Sequence, residues 1–187
     1  MSGRLSPAIH LERPRRRQRA PRQWGLRDPG ARFWAVSEAT ESRASVDGRI
    51  LIVDDESAIR LICRLNLESV GFETLEAPDG ETALALARAE QPDLIVLDIM
   101  LPGIDGWGVA EELAAAAETR DIPILFLSAR SDRSDEARGL EAGGLGHVTK
   151  PFDPDELTDR VRGVLARARR GEREALRSEW KQRLRSP

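Results

Sequence analysis

Residues 94–106 read LIVLDIMLPGIDG, from Leu94 to Gly106. The apolar run Leu94–Leu97 is short and has no polar face, so it predicts a strand buried on both sides rather than an amphipathic helix. It ends on a carboxylate, Asp98. Gly103-Ile104-Asp105-Gly106 then predicts a turn into an Ala-rich helix over about Gly108–Glu118. A strand covered on both faces belongs to a parallel sheet flanked by helices, which fixes the class as α/β.

The same alternation extends in both directions. Arg49–Val53 (RILIV) is a second buried run and feeds the acidic loop Asp54-Asp55-Glu56. Ser57 is a candidate N-cap for a helix to about Val70, with Ile59, Ile62, Cys63 and Leu67 at helical spacing and Gly71 as its stop. Phe72–Ala77 reads as a strand, and Asp79 opens a helix through Ala89 that closes before Pro92. On the other side, Ile122–Leu127 (IPILFL) is a strand ending on Ser128. A helix over about Ser134–Ala142 follows, then a short strand, Gly146–Thr149, ending on Lys150. Pro154 and Asp155 start a last helix. Five β-α units with right-handed crossovers predict a doubly wound parallel sheet of five strands in a three-layer α/β/α sandwich. Leu84, Ala87, Leu113 and Ala117 are read as core, and Trp107 as a partly exposed residue at a helix start.

In such a fold ligands sit at the carboxyl ends of the strands. Those ends carry Asp54, Asp55, Asp98, Ser128 and Lys150. Carboxylates held together repel one another unless a cation joins them, and an all-oxygen cluster beside one ammonium suits Mg²⁺ better than Zn²⁺. A carboxylate can attack phosphorus, and transfer of a phosphoryl group needs mainly alignment and positive charge. No G-x-x-x-x-G-K-[ST] follows the first strand, which argues against a nucleotide switch on this architecture.

The stretches Ile52–Glu56, Leu97–Gly106, Leu127-Ser128-Ala129 and Val148–Phe152 together resemble the receiver domain of bacterial two-component response regulators, over about Arg49 to Arg169. The resemblance implies a flavodoxin-like strand order 2-1-3-4-5. It implies Asp98 as phosphoacceptor, and Asp54, Asp55, Asp98 and the Met100 backbone carbonyl as Mg²⁺ ligands. It also implies Ser128 as the switch hydroxyl, Lys150 as the phosphate-sensing ammonium, and a cis Lys150-Pro151 peptide. A sensor histidine kinase or phosphotransfer protein would then be the phosphodonor, and the chain a phosphoacceptor rather than a turnover enzyme. An aspartyl-phosphate phosphatase of another α/β family would carry an acid/base Asp two residues after the nucleophile, where this chain has Met100. Two positions depart from the family pattern. His147 stands where an aromatic switch residue is usual, so either its ring fills that slot or its protonation biases the switch. Gly143-Gly144-Leu145-Gly146 is looser than the usual segment.

The net charge of −3 is unevenly spread. Residues 1–48 carry ten Arg against five acids, residues 49–170 a net of −10, and residues 171–187 five basic groups against three acids. An acidic body suits a hard cation and basic protein surfaces, and is a poor binder of polyphosphate backbones, so nucleic acid is not the expected partner. Residues 1–48, with Pro7, Pro14, Pro21, Pro29 and the run Arg15-Arg16-Arg17-Gln18-Arg19, are read as a disordered arm. Such an arm is a solvated tail, upstream sequence from a misassigned start, or a basic contact for nucleic acid or membrane. The arm and the basic tail together leave open a DNA-associated regulator as the alternative function. No apolar run approaches a membrane span, and one cysteine, Cys63, permits no internal disulfide, so a cytoplasmic location is expected.

Residues 49–170 are taken as the domain and 171–187 as a short basic helical tail. Leu176, Trp180 and Leu184 form an apolar stripe that does not continue the core-facing stripe of Leu157, Val161, Val164, Leu165 and Ala168. Either the helix breaks at Gly171, or a continuous helix offers a second face to a partner, including a second copy of the chain. On the second reading, deleting residues 171–187 weakens self-association or partner binding while leaving phosphorylation of Asp98 intact, as sedimentation and labelling would show.

Overall fold

A computed structural model describes residues 47–129 and 133–185. The expected arm, 1–48, lies outside the described residues except for Asp47 and Gly48. Five strands, β1 (Arg49–Val53), β2 (Glu73–Ala77), β3 (Leu94–Asp98), β4 (Ile124–Ser128) and β5 (Gly146–Thr149), form one parallel sheet in the order β2-β1-β3-β4-β5. Six helices accompany them: α1 (Ser57–Ser69), α2 (Gly80–Glu90), α3 (Gly106–Ala115), α4 (Arg133–Glu141), α5 (Pro154–Arg169) and α6 (Arg173–Arg185).

The three central strands are buried nearly throughout because alternate side chains enter two separate cores. Ile50, Ile52, Leu94, Val96, Leu125 and Leu127 pack with Cys63 and Leu67 of α1 and Leu157, Val161 and Leu165 of α5. Leu51, Val53, Ile95, Leu97 and Phe126 pack on the other face with α2 and α3. Cys63 is fully buried and its thiol is pushed up to about 12 by that burial. β2 is the half-exposed margin, and its Glu73 and Glu76 pair with Arg49 at 3.1 Å and Arg64 at 2.9 Å.

Local chemistry sets the helix ends. The Asp79 side chain accepts from Thr82 N at 2.8 Å and caps α2, and Asp105 does the same for α3 through Gly108 N. That second cap starts α3 at Gly106, two residues before the expected position. α1 has Glu56 rather than Ser57 at its cap, without a side-chain bond. β4 begins at Ile124 rather than Ile122.

Trp107 is buried rather than partly exposed. Its ring lies 4.9 Å from that of Phe126, centroid to centroid, and Arg138 sits over it at 5.2 Å. The tail also differs from a free helix. Gly171 has φ +76°, Glu172 N donates to Arg167 O and Gly171 N to Ala168 O, so α5 ends in a Schellman turn. α6 then folds back onto the domain. Trp180 is 2% exposed and joins the core of Trp107 and Phe126, Leu184 packs against that core, and Leu176 packs against the other. Leu176, Trp180 and Leu184 therefore face the chain's own body.

This changes what the deletion of 171–187 does: it uncovers core. Trp180→Ala is expected to lower unfolding stability by about 3 kcal/mol, the size of a large aromatic truncation in a core. A solvated tail would change it by less than about 0.5 kcal/mol, and urea denaturation of both variants distinguishes the two.

Candidate functional site

β1, β3, β4 and β5 run parallel, so their carboxyl ends meet at one margin of the sheet. Val53 pairs with Leu97, Asp98 with Leu127 and Ser128 with Thr149, which aligns the polar residues that follow or end each strand. Asp54, Asp55 and Asp98 each offer an oxygen, all within 4.8 Å of one another. Asp54 and Asp98 are buried, Ser128 is 1% exposed, and Asp55 is open to solvent.

Lys150 reaches into this cluster from the end of β5. Its Nζ lies 2.6 Å from Asp54 Oδ2 and 2.9 Å from Asp98 Oδ2. Burial pushes the Asp54 carboxyl up, against the pull of the Lys150 ammonium. Burial also pulls the Lys150 ammonium down, but its hydrogen bonds with Asp54 and Asp98 outweigh that, so it is held above its ordinary value. Among the described residues Asp54 Oδ2 has Lys150 Nζ, at 2.6 Å, as its one charged partner. A cluster of three carboxylates with one ammonium and an under-coordinated buried oxygen fits a hard divalent cation.

The backbone around the site is tied down. Lys150 N donates to Ser128 O at 2.7 Å, and the Lys150-Pro151 peptide is cis, as expected. Met100 N donates to Asp98 Oδ1 at 3.2 Å, while the Met100 side chain is 53% exposed. Gly106 lets the loop after β3 return beneath Asp98: a Cβ there would come within 2.8 Å of Ile99 Cα and closer still to the Asp98 carbonyl. The loop closes with Gly106 N donating to Ile99 O.

Two contributors were missed from sequence. Arg60 Nη1 donates to the carbonyls of Asp54 at 2.7 Å and Asp55 at 3.1 Å, and its Nε meets Glu76 at 3.3 Å, so it holds the acidic loop. The signal was a cation in the first turn of a helix, where the macrodipole disfavours it unless carbonyls receive it. Gly106 was read only as a turn residue; the need for a missing Cβ comes from a tertiary approach.

His147 is not in the acidic cluster. It lies on β5 and lines a separate polar cavity with Glu136, Glu156, Arg160, Trp180 and Arg183. Its Nε2 is buried without a partner, and burial lowers its pKa, against the influence of Glu136 and Asp135 and with that of Arg160.

A family profile described as "Response regulator receiver domain" matches residues 50–162. A probable transcriptional regulator ycf27 of Galdieria sulphuraria is 50% identical over 119 residues, 64% of this chain and 46% of that relative. A DNA-binding dual master transcriptional regulator RpaA of Synechocystis is 44% identical over 131 residues, 70% of this chain and 54% of that relative. The chain thus spans about half the length of the curated relatives it matches. A response regulator of Chloroflexus aurantiacus, described as putative in its own structure's name, superposes with a TM-score of 0.62 at 38% identity over 64% of this chain and 98% of its own. The chemotaxis protein CheY4 of Vibrio cholerae superposes with 0.60 at 29% identity, over 62% and 97%.

Because burial in the folded state lowers the His147 pKa below that of the unfolded chain, the unfolded chain binds the extra proton over the window between the two. Stability is therefore expected to fall as pH drops below about 6.5, the ordinary His value. His147→Gln should flatten that part of the profile between pH 5.5 and 7.5 (about the range in which His titrates). A profile identical to wild type in thermal melts removes His147 as its source.

Proposed function

The chain belongs to the response regulator receiver domain family, and on that premise we propose that Asp98 accepts a phosphoryl group from a sensor histidine kinase or phosphotransfer protein in the cytoplasm. The observation that carries this is Lys150, whose Nζ lies 2.6 Å from Asp54 and 2.9 Å from Asp98 at the mouth of a parallel sheet. Asp98 supplies the attacking carboxylate oxygen: its new bond to phosphorus forms as the donor's bond to phosphorus breaks, leaving an acyl phosphate. Lys150 and the Ser128 hydroxyl would face the phosphoryl oxygens, one as a charge and the other as a hydrogen-bond donor.

Asp54, Asp55, Asp98 and the Met100 backbone carbonyl would hold a Mg²⁺, which supplies positive charge against the acidic cluster and the incoming phosphoryl group. Arg60 fixes the acidic loop by its carbonyls and leaves the carboxylates of Asp54 and Asp55 for the cation. The chain acts as a signalling phosphoacceptor, with only its own phosphorylation and dephosphorylation as chemistry. Ser128 and His147 are the residues through which the altered site reaches the rest of the fold.

The names of the relatives favour one second reading, a regulator associated with DNA. On that reading the Arg-rich 1–48 and the basic 171–187 contact phosphates. DNA binding by the full chain would be steeply salt-sensitive and lost in residues 49–187.

Incubation with acetyl phosphate tests the first reading. Labelling is expected in wild type with Mg²⁺, at background without Mg²⁺, and at background in Asp98→Asn. Lys150→Ala should slow labelling on the order of 100-fold, as loss of one charge stabiliser does elsewhere. Equal labelling of Asp98→Asn overturns the assignment.

A further inference from the structure

α6 is tied to the acidic site by a single strand. β5 meets α6 through His147, which shares a cavity with Trp180 and Arg183. Three residues on, Lys150 holds Asp98. On the α4 side the Trp180 Nε1 donates to Glu136 at 3.1 Å, and the indole seats against Gly139, where an added Cβ would meet it at 3.1 Å and Phe126 at 3.2 Å. Trp180 is the one residue of α6 that is fully buried. Leu184 and Leu176 pack, partly buried, against the two cores, and Arg177 donates to Leu140 O at 2.9 Å in a part-buried contact. Arg173 to Asp121 O and Arg167 to Glu179 at 2.7 Å are exposed, and an exposed ion pair contributes little. A helix of 13 residues thus has one indole, seated in a close-fitting slot, as its deepest anchor.

We propose that α6 is an intramolecular latch across α4, β5 and α5, seated while Lys150 is paired with Asp98 and released when Asp98 carries a phosphoryl group. The proposal rests on the phosphoacceptor reading of Asp98. A phosphoryl group there puts phosphorus and its oxygens where the 2.9 Å contact with Lys150 now is, so Nζ must pair further out. Lys150 N is bonded to Ser128 O at 2.7 Å, so the ends of β5 and β4 respond together. The slot around Gly139 has no room to follow such a shift, and a close-packed contact tolerates displacement poorly. Whatever weakens the seat loosens the helix, because its other apolar anchors, Leu176 and Leu184, are only partly buried. By linkage, a chain with α6 released takes up the phosphoryl group more readily.

Hydrogen exchange of the full chain in Mg²⁺, with and without acetyl phosphate, reads this directly when label incorporation is measured in the same samples. Amides of 173–185 should exchange about tenfold faster in the labelled chain, equivalent to about 1.4 kcal/mol, while α2 stays unchanged. Equal or slower exchange of α6 in a labelled chain overturns the latch, as does acceleration shared by α2. Failure to label overturns the phosphoacceptor reading instead, and Lys150→Ala then decides the latch alone. That variant breaks the same tether without phosphorus, so α6 should loosen selectively. Unchanged exchange of α6, or equal loosening of α2, retires the idea.

Discussion

The ammonium of Lys150 lies between two buried carboxylates, 2.6 Å from Asp54 and 2.9 Å from Asp98. Two unit charges about 4 Å apart interact by about 4 kcal/mol at a near-surface dielectric. That cation offsets the repulsion between two carboxylates placed side by side at the sheet margin. Its position is set by the short β5 that delivers it and the Ser128 carbonyl that accepts from its amide. One ammonium against three carboxylates still leaves the cluster anionic, which is why a divalent cation suits it. The same ammonium also makes the site sensitive to occupancy: any group added at Asp98 must renegotiate with it.

Much of this was legible in the sequence because it follows from covalent periodicity. The runs at Arg49–Val53 and Leu94–Leu97 are apolar, short and bounded by turns, and each becomes a strand of the parallel sheet, as does the short Gly146–Thr149. The strand ends then place Asp54, Asp98, Ser128 and Lys150 at one margin without further information. What failed to show depends on approach in three dimensions. Trp107 looked like a helix-start residue because nothing local says that Phe126 lies 4.9 Å away. Arg60 was a helix residue with no evident task until the loop carbonyls turned towards it. Boundaries moved where a single cap or turn decided them, as Asp105 does for α3.

The tail shows the same division. The stripe of Leu176, Trp180 and Leu184, and the break at Gly171, could be read from spacing and from one glycine. What the stripe covers could not, since an apolar stripe looks alike whether it meets a partner or its own domain. With Gly171 at φ +76° the chain reverses, and the stripe closes over α4 and β5. The apolar stripe of a basic segment that seemed a candidate for outside contacts is committed to the fold, while Lys181, Arg183 and Arg185 stay exposed.

Cys63 is the chain's single cysteine, fully buried in α1, with a thiol pushed up to about 12. Burial thus keeps the thiolate, the reactive form, scarce at neutral pH. The native protein is therefore nearly inert to maleimides and mild oxidants, so a thiol introduced on the surface would react alone. A single reporter dye on α6, or a pair spanning α6 and α2, can be attached without first removing any native residue.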